Sequence, residues 1–375
     1  MPRSGPLGVG LIGAGMISTQ YLDHLTTFPD VRVLRIGDLD VDRAAAQARA
    51  YGLPAWGTGA DVLADPDVEL VVNLTIPAVH AEISRAAVAA RKHVWSEKPM
   101  AVERAEGRQL LDAAAEAGVR IGVAPDTVLG PAVQTARRAV ERGDIGTPLA
   151  ATTVMQYSGP DSFHPNPEFL FARGAGPVQD MGPYYVSALV NLLGPVDKVA
   201  AVGSTSRQTR LVRVGDRVGT PFPVEVPTHV AVLLAFEGGT VGQSVFSFDS
   251  PLTRMGVVEI TGTDGTLLVP DPNYFNGPVK ITRTPAPDAV ANEPVWETVE
   301  QIGVTSGRGL GILDMARAIR SGQPHIATGE LGYHILDVLT CIEEAVVVAE
   351  TVTVTSTVGP IPLVPKDRDP MAATL

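Results

Sequence analysis

The sequence predicts an α/β protein with a doubly wound parallel sheet in its N-terminal third, followed by an α+β half built on an open, mostly antiparallel sheet. Three observations predict this. Short apolar runs alternate with helical segments through the first third of the 375 residues. The first of those runs ends in a glycine turn that leads directly into an amphipathic segment. Beyond about residue 125, strand-like runs follow one another with hairpin-type turns between them. The expected partition is therefore 1–125 for the parallel-sheet domain and 126–375 for the second.

Gly8 to Ile12 is long enough for one buried parallel strand. It feeds into Gly13-x-Gly15-x-x-Ser18, and Ile17, Tyr21, Leu22, Leu25 and Phe28 then recur at helical spacing. Strand, glycine turn and helix form the setting in which G-x-G-x-x-G/A means dinucleotide binding. Gly13 permits the tight turn, and Gly15 lets backbone approach a pyrophosphate. Ser18 is the small residue that keeps helix and strand close. Met16 and Ile17 open the helix, whose free N–H groups face the phosphates, and are counted with the glycines as cofactor-binding. A second strand over 31–36 ends at Gly37-Asp38, twenty residues after Ser18. A carboxylate there accepts both ribose hydroxyls and repels a 2′-phosphate. With no arginine directly after it, Asp38 favours NAD over NADP.

Composition narrows the partners. The net charge is −12 with no basic run, which argues against nucleic acid. The single cysteine, Cys341, excludes an internal disulfide and a cysteine-rich metal site, and the seven histidines show no zinc spacing. No run reaches about 18 apolar residues, so no membrane span is expected. The glycines and Asp23 break up a faint likeness of the N-terminus to a signal peptide. A cytoplasmic protein of a reducing compartment is expected.

The alternation continues with a helix over 43–51, a buried strand over 68–74, a helix over 78–90, a strand at 93–95, a helix over 103–117 and a strand over 119–123. After a helix over 131–142, strands are expected over 150–157, 199–206, 229–236, 240–248, 257–261 and 266–269. Glu237-Gly238-Gly239 and Thr263-Asp264-Gly265 carry hairpin chemistry. Helices over 180–193, 310–321 and 329–350 complete the second domain, and the proline-rich tail after Gly359 is expected on the surface.

Ligands of open α/β sheets bind at the carboxyl ends of the strands. Thr75-Ile76-Pro77, His80 and Glu97-Lys98-Pro99 occupy that edge, and Thr75, Pro77, His80, Glu97 and Lys98 are counted as cofactor-binding. Lys98 carries most weight, because it stands at a strand end beside Glu97 and is followed by a proline. Two roles fit His80: touching the cofactor, or capping its helix. In the second half, glycines lead into Gln179-Asp180-Met181-Gly182-Pro183-Tyr184-Tyr185. Asp180 and Tyr184 are four apart, one above the other on a helix face, where a carboxylate and a phenol address one hydroxyl-bearing substrate. Tyr185 reads as the core aromatic of the pair. His164, in the loop before that helix, is a candidate for the substrate pocket. Gly307-Arg308-Gly309-Leu310-Gly311 reads as a loop entering a helix rather than a phosphate loop.

Gly13-x-Gly15, Glu97-Lys98-Pro99 and Asp180-x-Gly182-x-Tyr184 together resemble the Gfo/Idh/MocA family of oxidoreductases, over nearly the whole chain. The resemblance implies an N-terminal Rossmann domain and a C-terminal domain whose open sheet covers the nicotinamide. That sheet often makes the oligomer interface, which implies a homodimer or homotetramer. It also implies activity on sugars, cyclitols and related polyols. Inositol dehydrogenase-like members carry histidine where Tyr184 stands, whereas glucose–fructose oxidoreductase-like members carry tyrosine. Ala124-Pro125-Asp126-Thr127 replaces the more usual Asn-x-Arg, which leaves Asp126 as a candidate substrate contact. Mechanism class carries over these departures; substrate identity does not.

Oxidising a polyol needs a base for the hydroxyl proton while hydride leaves the same carbon. Lys98 as an ammonium would favour charge developing on the reacting oxygen and lower the pKa of Tyr184 from its ordinary value of about 10. Asp180 would hold Lys98 or a second substrate hydroxyl. Either Tyr184 or Lys98 is the proton carrier. Three functions remain open at this stage: a dehydrogenase or reductase with exchanging NAD, an enzyme that retains NAD in a closed redox cycle, and an NAD-binding sensor without chemistry. Keeping Lys98, Asp180 and Tyr184 together argues against the sensor.

Overall fold

The computed structural model of the protein describes residues 4–283 and 294–375. They pack as two compact units, one formed by the chain up to Gly130 with Gly303–Leu336 and Ile361–Leu375, the other by Pro131–Ile302 with Asp337–Pro360.

The first unit alternates strand and helix: β1 (Leu7–Ile12), α1 (Met16–Leu25), β2 (Val31–Gly37), α2 (Val41–Tyr51), β3 (Ala55–Gly57), α3 (Gly59–Ala64), β4 (Leu70–Asn73), α4 (His80–Ala89), β5 (His93–Ser96), α5 (Arg104–Ala117) and β6 (Ile121–Val123). The strands form one parallel sheet in the order β3-β2-β1-β4-β5-β6. Every residue of β1 and β4 is buried, because crossover helices cover such a sheet and strands covered on both faces read as continuous apolar runs. Strand order reverses between β1 and β4, which opens a crevice at their carboxyl ends.

The contiguous partition at 125/126 is corrected here. Helix α8 (Leu310–Ser321) packs in the first unit, burying Leu310, Ile312, Leu313 and Met315. The contact is shaped around fully buried Trp95: a Cβ added to Gly311 would lie 2.1 Å from the indole, and one added to Gly122 2.4 Å from the Met315 sulfur. The tail also returns to this unit, where Asp30 accepts hydrogen bonds from the backbone N–H groups of Thr374 (2.7 Å) and Leu375 (3.0 Å).

The second unit begins with α6 (Pro131–Glu141) and β7 (Pro148–Gln156), then α7 (Gly176–Leu193), β8 (Val196–Ser204), β9 (Thr209–Leu211), β10 (Pro221–Pro223), β11 (His229–Phe236), β12 (Val241–Ser247), β13 (Arg254–Gly262), β14 (Gly265–Val269), β15 (Lys280–Arg283) and β16 (Glu297–Thr298). Helix α9 (Gly329–Val348), whose residues up to Leu336 count with the first unit and from Asp337 with the second, and β17 (Val352–Thr353) follow. The sheet runs β16-β15-β14-β13-β7-β12-β11-β8-β17, antiparallel except for the parallel pair β7–β12. The expected strands correspond to β7, β8 and β11–β14. The additional β9, β10, β15, β16 and β17 span two to four residues each, too short to show a period of two. Along β11, Val230, Val232, Leu234 and Phe236 face the core, while Ala231 and Leu233 face outward. Tyr185 is the core aromatic: its hydroxyl accepts from the Gly256 N–H (2.7 Å), and its ring meets Phe246 edge-on at 5.9 Å. Among the described residues, no helix is long and apolar enough to cross a membrane.

Candidate active site

The glycine turn after β1 has the geometry that a dinucleotide cradle needs. Gly13 adopts φ +108°, and a Cβ there would meet the Leu74 carbonyl oxygen at 2.5 Å, so both conformation and space demand glycine. Gly15 immediately precedes α1, and a Cβ at that position would meet nothing within 4 Å. Open space beside a helix N-terminus with uncommitted N–H groups fits a pyrophosphate. Ser18 is fully buried, its hydroxyl donating to the Gly15 carbonyl (2.7 Å). Met16 is exposed at the mouth of the turn and Ile17 half-buried behind it.

Asp38 completes this cradle. One carboxylate oxygen accepts from the Ala14 N–H (2.6 Å), within the glycine turn itself, and the other from Asp40 N–H (2.9 Å) and the Arg43 guanidinium (2.7 Å). Burial pushes the Asp38 carboxyl up, but the Arg43 pair and the two amides outweigh it and hold the group below the usual carboxylate range. Sequence reading missed Arg43. It lies on the first turn of α2, and its own side chain is half exposed beside the Asp38 carboxylate.

The second cluster sits at the carboxyl ends of β4 and β5. Lys98 is half-buried. Its backbone N–H donates to one oxygen of the adjoining Glu97 carboxylate (3.1 Å), whose other oxygen accepts from the Tyr21 hydroxyl (2.8 Å). The Trp95 indole N–H donates to that same hydroxyl (3.1 Å). Burial, then the charges of Glu97 and Asp126, raise the Tyr21 phenol well above its ordinary value, so it remains a donor. Glu97, proposed from sequence as a cofactor contact, therefore uses both oxygens to brace the lysine loop. His80 is likewise committed: its ring nitrogens lie 2.6 Å from the Pro99 carbonyl oxygen and 3.0 Å from that of Thr75. It ties the ends of β4 and β5 together while nearly fully buried. Burial pushes its imidazole pKa down, against the two carbonyls. The Thr75 hydroxyl donates to Asn73 (2.6 Å), and Pro77 opens a short 3₁₀ turn before α4.

Asp126, a candidate substrate contact from the sequence, is committed through one oxygen to the start of α8. Its side chain is fully buried, and one oxygen accepts from the N–H groups of Gly309 (2.8 Å) and Gly311 (3.1 Å). It caps α8 from a distance of 183 residues, supplying the acid that the glycine N-cap lacks. Burial raises its pKa, opposed by Arg308 and those two amides. Gly307–Gly311 is thus a loop entering a helix, as read from sequence.

In the second unit, α7 carries Asp180 and Tyr184 on successive turns. Asp180 is half-buried and Tyr184 only 5% exposed. Gly182, between them, packs closely against α9, since a Cβ there would lie 2.6 Å from Leu339. Gln179 donates to Glu343 on the same helix pair (3.0 Å). His164 lies in the loop before α7, its ring edge-on to Phe169 at 5.3 Å and its Nδ1 accepting from the Asn166 N–H (3.0 Å).

A family profile described as the oxidoreductase family, NAD-binding Rossmann fold, matches residues 7–124, and one described as the GFO/IDH/MocA C-terminal domain matches residues 133–268. The levoglucosan dehydrogenase of Pseudarthrobacter phenanthrenivorans is 29% identical over 287 residues, covering 70% of this chain and 73% of that one. The trans-1,2-dihydrobenzene-1,2-diol dehydrogenase of Sus scrofa is 28% identical over 269 residues, covering 70% and 74%. A solved levoglucosan dehydrogenase in complex with NADH and L-sorbose shares the fold with a TM-score of 0.80 at 24% identity, over 93% of this chain and 99% of that chain.

Proposed function

This chain belongs to the Gfo/Idh/MocA family of NAD-binding oxidoreductases, and from that premise we propose that it transfers a hydride between nicotinamide and a secondary alcohol or ketone of a sugar, cyclitol or related polyol. The observation that carries the reading is in the first unit. The braced Glu97-Lys98-Pro99 loop leaves the carboxyl end of β5 on the same sheet edge as the glycine cradle after β1. Relatives named as dehydrogenases of levoglucosan and of a dihydrodiol support the substrate class.

The Gly13–Gly15 turn and Asp38 would hold the dinucleotide, whose nicotinamide would supply the hydride acceptor for the carbinol carbon. The Lys98 ammonium donates to the reacting oxygen and gains strength as that oxygen gains charge. Tyr184 acts as the base in its phenolate form: its phenolic oxygen takes the hydroxyl proton and ends as the phenol, while the carbinol C–H and O–H bonds break and a carbonyl forms. Asp180 accepts from a neighbouring substrate hydroxyl and sets which carbon is presented. In the reductive direction Tyr184 returns the proton. A panel of cyclic polyols and sugars, assayed with NAD and NADP by the absorbance of reduced nicotinamide, tests the reading. Turnover of at least one is expected, and none with either cofactor overturns it.

NAD is the proposed cofactor, because the Asp38 carboxylate repels a 2′-phosphate. Arg43 is the complication, as a cation already placed beside that carboxylate (2.7 Å). Asp38→Asn keeps an acceptor for the Ala14 N–H while removing the charge and releasing Arg43 for a phosphate. The ratio of kcat/KM for NADP to that for NAD is expected to rise at least roughly tenfold. A wild-type protein that uses NADP as well as NAD contradicts the assignment.

The open sheet is proposed as the interface of a homodimer or homotetramer. Val202, Leu233 and Val241 stand 76%, 61% and 58% exposed on its outer side, an apolar grouping unusual for a monomer's surface. Light scattering at micromolar concentration is expected to give a multiple of the 39.3 kDa chain mass. A value equal to that mass refutes the interface.

A further inference from the structure

The second unit carries an aromatic arrangement that the proposed chemistry does not use. Tyr157 follows the last residue of β7 and continues its pairing, its N–H donating to the Ser247 carbonyl (3.1 Å) and its carbonyl accepting from the Ser250 N–H (3.1 Å). Its ring lies nearly parallel to that of Phe163 (6.3 Å between centroids, 24° between planes) and meets Phe248 edge-on at 5.3 Å. Phe248 is buried, whereas Phe163 is 63% exposed. The Tyr157 hydroxyl makes no hydrogen bond among the described residues. Burial, then the charges of Asp180 and Asp161, push the phenol far above its ordinary value. It therefore keeps its proton throughout the working pH range, and it lies within reach of the field of Asp180.

This arrangement is held rigidly from behind. Arg210 is 5% exposed. One of its terminal nitrogens donates to the Ser158 carbonyl (3.1 Å) and the Asp161 carboxylate (2.5 Å). The other donates to the Phe248 carbonyl (2.6 Å) and the Asp249 carboxylate (2.7 Å). Its guanidinium also lies over the Phe171 ring at 4.9 Å. One buried cation thus fixes the residue after Tyr157 and the backbone of Phe248 together, with two carboxylates supplying the charge that makes its burial tolerable. Gly159 is required by this packing: it adopts φ +97°, and a Cβ would lie 2.4 Å from the Arg210 guanidinium. Pro160, Pro165 and Pro167 stiffen the rest of the loop.

Resting on the dehydrogenase reading above, we infer that Tyr157 and Phe163 form a shelf for the apolar C–H face of a cyclic substrate, a pyranose or cyclitol ring, with the Tyr157 hydroxyl donating to one of the ring's hydroxyls. A rigid pair of rings offers apolar area at little ordering cost, and one polar tip beside a carboxylate suits a molecule with a C–H face and a hydroxyl rim. An open-chain polyol presents no such flat face. The shelf thus selects ring over chain, whereas Asp180 and Tyr184 select the hydroxyl.

The test compares wild type with Tyr157→Ala, Tyr157→Phe and Phe163→Ala. Steady-state kinetics use myo-inositol, levoglucosan and D-glucose as ring probes and D-sorbitol as the open-chain probe. Calorimetric titration of each probe into the NADH-loaded protein reads binding without turnover. Tyr157→Ala and Phe163→Ala are expected to raise KM for the preferred ring probe roughly tenfold and to lower the ring-to-chain ratio of kcat/KM by a similar factor. Tyr157→Phe, which keeps the ring and loses the hydroxyl, is expected to fall between them and wild type. Phe163 is exposed, so Phe163→Ala is expected to keep its thermal midpoint, which separates loss of the shelf from loss of folding. Wild-type turnover with ring affinities unchanged in Phe163→Ala and in the folded Tyr157 variants overturns the shelf and leaves the dehydrogenase reading standing. Ring binding that weakens in the variants, without wild-type turnover, supports the shelf and overturns the chemistry. Absence of both binding and turnover overturns both.

Discussion

Lys98→Met is expected to abolish turnover, by roughly 10³-fold or more, while NADH affinity stays within a few-fold. Methionine keeps the length and apolar body of the lysine stem, so the substitution removes the ammonium and little else. The brace around the position survives it, because Glu97 accepts from the Lys98 backbone N–H and from Tyr21, not through the lost side-chain atoms. The loss belongs in kcat and kcat/KM together, since the ammonium meets its best partner only as the reacting oxygen gains charge. Equilibrium titration with NADH and steady-state kinetics on the best polyol check it. A loss confined to NADH affinity would make Lys98 a cofactor contact and no more.

Tyr184→Phe is expected to cut kcat by roughly 10²–10⁴, the ordinary size of an acid–base contribution. Phenylalanine fills the same buried volume on α7, and only the hydroxyl is lost. The pH–rate profile separates chemistry from packing. If Tyr184 carries the proton, the pH–rate profile of the variant departs from that of the wild type. A variant that keeps both rate and profile makes Tyr184 a packing aromatic and leaves Lys98 to carry the proton. Asp180→Asn offers a contrast, expected to raise KM more than it lowers kcat, because its proposed partner is a hydroxyl that does not react.

The parts of the site that could be read in the sequence are those encoded within one turn or one strand. Gly13 and Gly15 announce themselves because a positive φ and an open N-terminus are local demands. Asp180 and Tyr184 do so because a spacing of four places two side chains on one helix face. Glu97-Lys98-Pro99 was located by its strand, but the meaning of Glu97 was not, since its partner Tyr21 is 76 residues away. The tie from Asp126 to α8 is illegible in the sequence for the same reason. A lone acid after a strand looks like a ligand contact until α8 is brought to it from 183 residues further on.

The sequence by itself determined the order of strands and helices in the first third apart from β3 and α3, the cofactor cradle, the motif at the end of β5 and the carboxylate–phenol pair on α7. All follow from backbone conformation and from periods of 2 and 3.6 that span a few residues. Only the tertiary structure decided that α8 and the tail belong with the parallel sheet, which face of the open sheet is buried, and that Arg43 lies beside Asp38. It alone placed Arg210 against Asp161, 49 residues away, and so created the shelf around Tyr157. The physical reason is common to these cases. Burying a charge or an indole depends on what several distant segments exclude together, and no single stretch of chain encodes that exclusion.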